Sequence, residues 1–451
     1  MKQDTICAIC TPIGTGGISI IRVSGSEALK FASQVFHSKS LDYKDIKPRY
    51  FYLGTFSADE ITEKCMMVYF KAPYSYTGED TVEFQCHGGV LLTKKILQKL
   101  LDLGCRLADA GEFTKRAFVN GKISLDEAEG VIDVINAESE SELKAGYSLL
   151  FGNLNSKINE IQNQITDLLS EIDVTFDFPE NDDEKYTNDV VLTKLKNINM
   201  DLINIRNTSN TGVKLKSGNK VVIVGKPNVG KSSLMNAMLN YDRAIVTDIQ
   251  GTTRDVLEET YIYKGVKFVL TDTAGLRESD DVVESIGINK AKQSLNEADL
   301  ILYVVDSSRN LNNEDYDIIK LISDKKVLVV YNKTDLISKV NKKELPFNNV
   351  IDCSALNKTG IDNIKQKIFD MVIDEKILGS NIIITNVRHM DTLARAIDTI
   401  TNVIDGLQNG IPLELTALDL KNAWLILGEI TGQTNNEEII GNIFSKFCVG
   451  K

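Results

Sequence analysis

The stretch GKPNVGKS, residues 225–232, decides the fold of this 451-residue chain. It fits the phosphate-binding loop pattern G-x-x-x-x-G-K-[ST] and follows VVIV, residues 221–224, an apolar run typical of a buried strand. A glycine-rich turn between a strand and a helix points backbone N–H groups inward, so that they and the helix N-terminus cradle phosphate. In this pattern Lys231 reaches the outer phosphates and Ser232 offers its hydroxyl to Mg²⁺. The pattern also arises by chance, so the motifs downstream decide whether this loop is a phosphate-binding loop.

Three further motifs follow in the order expected of a nucleotide-binding sheet. VLTDTAG, residues 269–275, ends an apolar run with Asp272, the expected partner of Mg²⁺. VLVVYNKTD, residues 327–335, ends the next-but-one strand with Asn332 and then Asp335. A carboxylate can accept two hydrogen bonds from the N1–H and 2-amino groups of guanine, whereas adenine offers no such pair. Asp335 therefore favours GTP over ATP, and SAL, residues 354–356, suits the loop that closes over the base.

The position that follows the DxxG glycine raises the question of how GTP is hydrolysed. Many GTPases carry a glutamine there to orient the attacking water, but this chain has Leu276, which cannot hydrogen-bond water. Glu284 is one substitute, although a merely solvated side chain fits the same spacing. The other is a monovalent cation: Asn228, inside the phosphate loop, could help ligate K⁺ and so neutralise charge as an arginine finger does. Arg254 and Arg277 could be such fingers in cis, but structural or switch contacts suit them better.

Composition limits the class of protein. A chain of this length is expected to hold two or three domains, each with its own core. The net charge of −12 gives no overall basic field for nucleic acid, so any RNA contact must be local. Seven scattered cysteines argue against a disulfide framework, and Cys7 and Cys10, inside the apolar run TICAICT, favour core positions over a zinc site. Since we find no signal peptide and no apolar run near 18 residues, we expect a soluble, cytoplasmic protein without membrane contact.

Apolar spacing divides the chain into segments of different fold class. Residues 1–118 predict an α+β domain, with strands in GISIIRVSG, KCMMVYFKAP and DTVEFQCHGG and helices at 26–36 and 90–103. Residues 119–216 and 378–451 predict all-α segments on either side of an α/β P-loop GTPase domain at 217–377. The GTPase domain is therefore predicted to be inserted into one helical domain, with two separate helical domains as the alternative. The helical spacing is carried by Leu154, Ile158, Ile161, Ile165, Leu168, Ile172, Val191, Leu195, Ile198, Leu202, Leu393, Ala396, Ile397, Ile400, Val403, Ile404, Leu407, Leu415, Leu418, Trp424 and Leu427.

Motifs outside the GTPase domain carry a family resemblance. They are TPIGTGGISIIRVSG near the N-terminus, YTGEDTVEFQCHGG at 76–89, AGEFTKRAFVNGKISLDEAEG at 110–130 and TFDFPEN at 175–181. The tail FCVGK, residues 447–451, has the form Cys-x-Gly-Lys. With these motifs the chain resembles, from end to end, the MnmE (TrmE) family of tRNA-modifying GTPases.

The resemblance implies a role for the N-terminal domain. Family members are homodimers joined through this domain, which looks like the folate-binding domains of one-carbon enzymes, and they bind 5-formyltetrahydrofolate. Carried over motif by motif, the folate contacts are Arg22, Glu79, Lys122 and Lys451. A carboxylate such as Glu79 can accept paired hydrogen bonds from the pterin edge, and cations suit the carboxylates of folate. The resemblance also makes Cys448 a catalytic candidate, although the role of its thiol cannot be read from the sequence.

The resemblance further implies a metal-dependent GTP hydrolase whose nucleotide domains dimerise with K⁺. Magnesium ligands map to Ser232 and Thr253, potassium ligands to Asn228, Thr247, Ile249 (through its carbonyl) and Thr252, and the catalytic residues to Glu284, Lys231 and Asp272. The predicted GTP contacts are Asn228, Val229, Gly230, Lys231, Ser232, Ser233, Thr247, Asp248, Ile249, Gln250, Gly251, Thr252, Thr253, Asp272, Thr273, Ala274, Gly275, Asn332, Lys333, Asp335, Ser354 and Ala355.

The implied reaction adds an aminomethyl or carboxymethylaminomethyl group at C5 of the wobble uridine of certain tRNAs. It requires a flavin- and NADH-dependent partner protein, in a heterotetramer, and GTP hydrolysis opens and closes the GTPase pair. The main alternative is a ribosome-assembly GTPase switch, which shares the nucleotide domain and also replaces the glutamine by an apolar residue. Such proteins usually append a basic RNA-binding domain, whereas the segment after residue 377 is not notably basic. A membrane transporter's GTPase, the third alternative, lacks support because no spanning segment is predicted.

Overall fold

The computed structural model describes residues 4–177, 184–239, 258–272, 293–374, 379–434 and 437–451. The chain forms two compact units. One comprises Met1–Ile132, Tyr147–Asn199 and Thr392–Lys451, and the other comprises Asp133–Gly146 and Met200–Asp391. The first unit contains a seven-stranded sheet and the second a six-stranded sheet. The domain boundaries at 118, 216 and 377 stay predictions.

The seven-stranded sheet lies in the N-terminal part of the chain. Its strands are β1 (Ile6–Ile9), β2 (Gly16–Ser24), β3 (Phe36–His37), β4 (Phe51–Ala58), β5 (Ile61–Phe70), β6 (Thr81–Gly88) and β7 (Arg106–Leu107). They run in the order β3-β4-β5-β6-β2-β1-β7, antiparallel except for the β1–β7 pair. The predicted strands GISIIRVSG, KCMMVYFKAP and DTVEFQCHGG are confirmed as β2, β5 and β6.

Alternation along these strands separates a core face from a polar face. Ile21 of β2 and Phe84 of β6 point into a core that helices α1 (Ala28–Val35) and α2 (Val90–Asp102) close. Both helices confirm the predicted helical spans to within two residues at each end. Helix α3 (Glu112–Val119) packs on the opposite face, where Phe113 joins Ile6 and Ala8 in a small apolar cluster. The polar side chains of β2 and β6 therefore point toward α3 and the open part of the sheet.

Four helices follow, α4 (Leu125–Asn136), α5 (Glu140–Leu150), α6 (Asn153–Asp177) and α7 (Glu184–Asn207). The predicted stripe on α6 is confirmed, because its six residues from Leu154 to Ile172 are all at most 1% exposed. The four stripe residues of α7, Val191 to Leu202, are buried as well. Segment α8 (Ser209–Ser217) then leads into the nucleotide-binding sheet.

The six-stranded sheet has the architecture expected of the GTPase domain. Its strands are β8 (Asn219–Val224), β9 (Glu258–Tyr263), β10 (Val266–Asp272), β11 (Leu300–Asp306), β12 (Val327–Asn332) and β13 (Val350–Asp352), in the order β13-β12-β11-β8-β10-β9. All neighbours are parallel except β9 and β10. Because the carboxyl ends of parallel strands meet at one edge of a sheet, the motifs that end β8, β10, β11 and β12 come together there.

Both faces of this sheet are covered, which explains why the central strands β11 and β12 are apolar up to their last residue. One core contains Ile223 of β8 together with residues of α9 (Lys231–Leu239) and α11 (Ile361–Val372). The other contains Val222 together with Ile319 and Ile322 of α10 (Asn313–Ile322). Successive residues of β8 thus enter opposite cores.

The described residues after 379 form three helices, α12 (Val387–Gln408), α13 (Leu413–Thr431) and α14 (Glu437–Phe444). Helical segments therefore precede and follow the nucleotide-binding sheet, as the predicted multidomain fold with an inserted P-loop domain requires. The predicted α12 stripe, Leu393 to Leu407, is buried, but Leu415 and Leu418 of α13 are 67% and 74% exposed. The buried face of α13 includes Thr416 and Leu420 instead. The predicted stripe was therefore partly wrong, because the buried face of this helix begins with a polar residue. No described helix is both long and apolar enough to cross a membrane.

All seven cysteines are free thiols. Cys7 is fully buried in β1, as predicted for a core position, whereas Cys10 at the end of that strand is only partly buried. Burial raises the pKa of the Cys10 thiol, which disfavours the thiolate.

Candidate functional sites

The phosphate loop joins β8 to α9 and is held close to its neighbours. A Cβ atom at Gly225 would lie 2.4 Å from the carbonyl oxygen of Val304, and one at Gly230 would lie 2.3 Å from Asn332 Nδ2. Gly230 also has a φ of 96°. Both positions therefore require glycine. Gly225 has no room for a side chain next to β11, and Gly230 has neither room next to Asn332 nor a backbone conformation that other residues readily adopt.

Side chains at the end of β12 fix the orientation of peptide groups in this loop. Asn332 Nδ2 donates to the carbonyl of Val229 at 2.9 Å, and Lys333 Nζ donates to the carbonyl of Asn228 at 2.9 Å. Because C=O and N–H point in opposite directions across a trans peptide, the N–H groups of Val229 and Gly230 are turned away from β12. Backbone N–H groups of a loop that are oriented in this way can cradle an anion.

The predicted magnesium ligand Ser232 and the expected magnesium partner Asp272 are brought together, whereas the other predicted ligand, Thr253, lies outside the described residues. Asp272 ends β10 and is 5% exposed, and its Oδ2 accepts a hydrogen bond from Ser232 Oγ at 3.1 Å. Oxygen donors of this kind are what Mg²⁺ prefers. Lys231 lies beside them and donates from Nζ to the carbonyls of Gly225 and Lys226, each at 2.9 Å. The two oxygens and the lysine thus fit the chemistry of a magnesium–phosphate group.

The predicted base-binding residues form one connected network. Asp335 Oδ1 accepts a hydrogen bond from Ser354 Oγ at 2.5 Å, which orients the carboxylate. Asn332 Oδ1 accepts from the backbone N–H of Ala355 at 3.0 Å, while its Nδ2 holds the phosphate loop. The SAL loop, the NKxD motif and the phosphate loop are therefore tied to one another. Ser233, by contrast, is simply exposed on α9.

Asp306, at the end of β11, is a member of this site that the sequence did not indicate. Its carboxylate accepts from Lys333 Nζ at 2.7 Å and from the hydroxyl of Ser308 at 2.7 Å. Burial raises the pKa of Asp306, but these hydrogen bonds outweigh it and hold the pKa below its usual range. The charged carboxylate therefore fixes Lys333 against Asn228. The signal was present, since Asp306 ends an apolar strand as Asp272 does.

Part of the predicted site lies outside the described residues. These positions are Thr247, Asp248, Ile249, Gln250, Gly251, Thr252, Thr253, Thr273, Ala274, Gly275 and Glu284, together with Leu276, Arg254 and Arg277.

Arg22, predicted to bind folate, lies on the polar face of the N-terminal sheet. It is the cross-strand partner of Glu83 and pairs with it, Nε to Oε1, at 2.8 Å. Its guanidinium carbon is 5.5 Å from the ring centre of Tyr76 and 5.4 Å from that of Phe113. Tyr76 in turn hydrogen-bonds Thr114 of α3 at 2.9 Å. Arg22 is thus held between two aromatic rings and a carboxylate.

Glu79 is fixed by an arginine that sequence reasoning missed. Arg116 of α3 is 6% exposed, and its Nη1 lies 3.1 Å from both carboxylate oxygens of Glu79. Ser24 Oγ also donates to Glu79, at 2.8 Å. The other guanidinium nitrogen of Arg116 donates to Asp4 at 2.7 Å and to Glu112 at 3.0 Å. The Glu79 carboxylate is therefore held in place and partly exposed, as an acceptor for a ligand must be.

The remaining N-terminal candidates lie around the same loop and helix. The stem of Lys122 passes close to Gly78, where an added Cβ would lie 3.3 Å from Lys122 Cγ. The carbonyl of Lys451 accepts the N–H of Phe113 at 3.2 Å, which brings the C-terminal residue to the start of α3. Cys448 is an exposed free thiol whose carbonyl accepts the N–H of Lys451 at 3.3 Å.

A six-stranded sheet with a phosphate loop, an Asp at the end of β10 and an NKxD motif at the end of β12 defines a P-loop GTPase. Comparison with known protein families identifies the segments outside the nucleotide-binding sheet as well. Residues 5–122 match the model of the GTP-binding protein TrmE N-terminus, and residues 125–448 match that of the MnmE helical domain. The chain therefore belongs to the MnmE (TrmE) family.

Curated relatives match over their whole length. The chain is 43% identical to the tRNA modification GTPase MnmE of Clostridioides difficile (strain 630) over 458 residues, covering 100% of this chain and 99% of that protein. Proteins of the same name from Alkaliphilus metalliredigens (strain QYMF) and Alkaliphilus oremlandii (strain OhILAs) are each 40% identical, with the same coverage.

Proposed function

We propose that this chain is the GTP-hydrolysing component of a tRNA-modifying enzyme that acts on C5 of the wobble uridine. The product carries an aminomethyl or carboxymethylaminomethyl group, and a flavin- and NADH-dependent partner protein takes part in the reaction. The observation that carries the proposal is the full-length match to curated tRNA modification GTPases, in both the N-terminal and the helical segments. We also propose the predicted domains, with boundaries at 118, 216 and 377.

The proposed GTPase chemistry uses the residues gathered at the carboxyl edge of the six-stranded sheet. Lys231 binds the outer phosphates, while Ser232, Asp272 and Thr253 serve the magnesium site. Mg²⁺, when bound, neutralises charge that develops on the transferring phosphoryl group. Glu284 orients the attacking water in place of the missing glutamine.

The proposed potassium site supplies a further positive charge next to the phosphates. Its ligands are Asn228, Thr247, the Ile249 carbonyl and Thr252. Support comes from Asn228, which is exposed in the phosphate loop with its backbone held at φ 63°. We expect GTP turnover to fall at least about tenfold when K⁺ is replaced by Na⁺, the order expected for the loss of one charge-stabilising contact. Equal turnover rates in the two salts would contradict the potassium site.

The proposed one-carbon site lies between α3 and the polar face of the N-terminal sheet. Arg22, Glu79, Lys122 and Lys451 hold 5-formyltetrahydrofolate, which supplies a one-carbon unit, and a homodimer forms through this domain. Support comes from the fixed, partly exposed carboxylate of Glu79 and the ring-bounded guanidinium of Arg22. Arg22→Ala is expected to weaken folate binding in calorimetry while GTP turnover is retained, and Arg395→Ala, in an exposed pair, is the control. Unchanged folate affinity in Arg22→Ala would contradict the site, and a monomer in analytical ultracentrifugation would contradict the dimer.

A reconstituted reaction tests the function as a whole. Purified chain, the flavin-dependent partner, GTP, folate, an amine source and tRNA from cells that lack the modification are combined, and nucleosides are analysed by mass spectrometry. We expect the C5-modified uridine only when the chain and GTP are both present. The function is rejected if the partner alone produces the modification at the same rate.

A further inference from the structure

The side chain of Lys226, the second residue of the phosphate loop, extends to the start of α10. Its Nζ donates to Asn312 Oδ1 at 2.7 Å and forms an ion pair with Asp315. The side chains of Lys226 and Asp315 are only 4% and 5% exposed. A buried pair of charges loses its water and persists only where geometry and further hydrogen bonds compensate, so this contact is not an ordinary surface pair.

The acceptors of Lys226 are themselves fixed by the start of the helix. Asn312 is the N-cap of α10, and its side chain accepts the N–H of Asp315. Asp315 returns the interaction by accepting the N–H of Asn312 at 2.9 Å, which completes a capping box. The hydroxyl of Tyr303, from β11, lies 3.4 Å from Asp315 Oδ1. Helix α10 and β11 thus define where the lysine ammonium sits.

We propose that Lys226 is a positioning residue of the nucleotide site, and that its pair with Asp315 holds the phosphate loop in its phosphate-binding conformation. The main chain carries the effect, because the carbonyl of Lys226 accepts Lys231 Nζ at 2.9 Å. Two side chains from the end of β12 already fix the carbonyls of Asn228 and Val229. Lys226 adds an anchor from a different element, at the start of the loop.

The proposal concerns nucleotide binding and rests on the nucleotide site, not on the tRNA reaction. A loop that is anchored at both ends presents its N–H groups without having to be ordered by the ligand, and such ordering would reduce affinity. The ammonium group matters because it offers several donors to a carboxylate and an amide at once. Arginine can replace it in this role, whereas methionine cannot.

The test compares nucleotide affinity with stability in matched variants. The double variant Lys226→Met with Asp315→Asn removes both charges, so that no lone charge is buried, and Asn can still accept the N–H of Asn312. Lys226→Arg keeps the pair. The control, Lys220→Met, removes an exposed pair with Glu297 from the strand that precedes the loop. Dissociation constants are measured with a fluorescent GDP analogue, and melting temperatures are measured without nucleotide.

We expect the double variant to bind the GDP analogue about tenfold more weakly or worse, the scale of a lost charged hydrogen bond. Its melting temperature should stay close to that of the wild type, while the Lys226→Arg and Lys220→Met variants should bind nearly as the wild type does. Should the double variant fail to fold, Lys226→Gln with Asp315→Asn replaces it, which also buries no lone charge, with the same expected loss.

Wild-type affinity in the double variant overturns the proposal. A melting temperature of the double variant that falls together with its affinity also overturns it, because the loss of binding would then reflect general packing damage. If the wild type itself does not bind the GDP analogue, the nucleotide site fails and not Lys226 alone. The tRNA reaction plays no part in the measurement.

Discussion

Single side chains at the end of β12 connect the residues that are predicted to bind the base to the phosphate loop. Asn332 joins the carbonyl of Val229 in the phosphate loop to the N–H of Ala355 in the base loop. Three residues further on, Asp335 is oriented by the hydroxyl of Ser354. A shift of this strand end would therefore move the predicted base-binding residues and the phosphate loop together.

Substitution of Asp335 tests base specificity at the scale of one residue. Asp335→Asn removes the carboxylate that is proposed to accept from the N1–H and 2-amino groups of guanine, whereas the new amide can donate to the 2-oxo group of xanthine. We expect GTP affinity to fall about 100-fold and the affinity for XTP to rise, from the usual strength of charged hydrogen bonds. Competition binding against both nucleotides measures this, and unchanged GTP preference would contradict the role of Asp335.

Asp4 gives a prediction about pH. Hydrogen bonding from Arg106, opposed by partial burial and reinforced by Arg116, holds the pKa of Asp4 at about 2. A carboxylate whose pKa is lowered by folding stabilises the protein above its unfolded pKa, near 3.9, and loses that contribution as pH falls toward the folded value. Asp4→Asn should therefore lower the urea midpoint at pH 7, and the difference from the wild type should shrink between about pH 4 and pH 2. A difference that is constant over this range would contradict the linkage.

At the scale of elements, the sequence predicts features that follow from the order of residues along one segment. It misses contacts between residues that are far apart in the sequence. Strand-end motifs such as Asp272 could be placed because parallel strands end at one edge. The pair of Lys226 with Asp315 joins residues 89 positions apart, and no local pattern connects them. Periodicity predicted α13 as a helix, but it put Leu415 and Leu418 on the buried side, because a stripe that begins with a threonine is hidden from a search for apolar spacing.

The N-terminal site shows the same division between local and distant information. The resemblance supplied Arg22 and Glu79, but neither Glu83 nor Arg116 was identified, although all four lie in the motifs that carry the resemblance. Glu83 is fixed by strand register, which follows from folding of the whole sheet. Arg116 reaches Glu79 from a helix 37 residues further along the chain.

The close approach of α4 to α5 yields a prediction about stability. A Cβ at Gly130 would lie 2.5 Å from the backbone nitrogen of Leu150, an atom that cannot move aside alone. Gly130→Ala should therefore destabilise the protein by about 1–3 kcal/mol, the usual cost of overpacking. Gly441→Ala is the matched control, since a Cβ there meets nothing within 4 Å and alanine favours α14 by up to about 1 kcal/mol. Urea unfolding of both variants measures the difference, and an equal effect on stability would contradict the packing argument.

At the scale of the whole molecule, the two candidate sites lie in different compact units. The candidate site around Arg22 and Glu79 lies within the first unit, and the candidate nucleotide site lies within the second. With a net charge of −12, the chain has no overall basic field for RNA, so any contact with tRNA requires a local surface. The proposed function therefore couples GTP hydrolysis in the second unit to the proposed one-carbon site in the first.

The most direct test of this coupling is mass spectrometry of tRNA nucleosides from cells that lack the chain and from the same cells supplied with variants. Asp272→Ala removes the carboxylate that accepts a hydrogen bond from Ser232 at the proposed magnesium site. The substitution leaves the candidate site around Arg22 and Glu79 unchanged. We predict that the C5-modified wobble uridine disappears without the chain, returns with the wild type and does not return with Asp272→Ala. Unchanged nucleosides together with immature ribosomal particles would contradict the account and favour a ribosome-assembly GTPase instead.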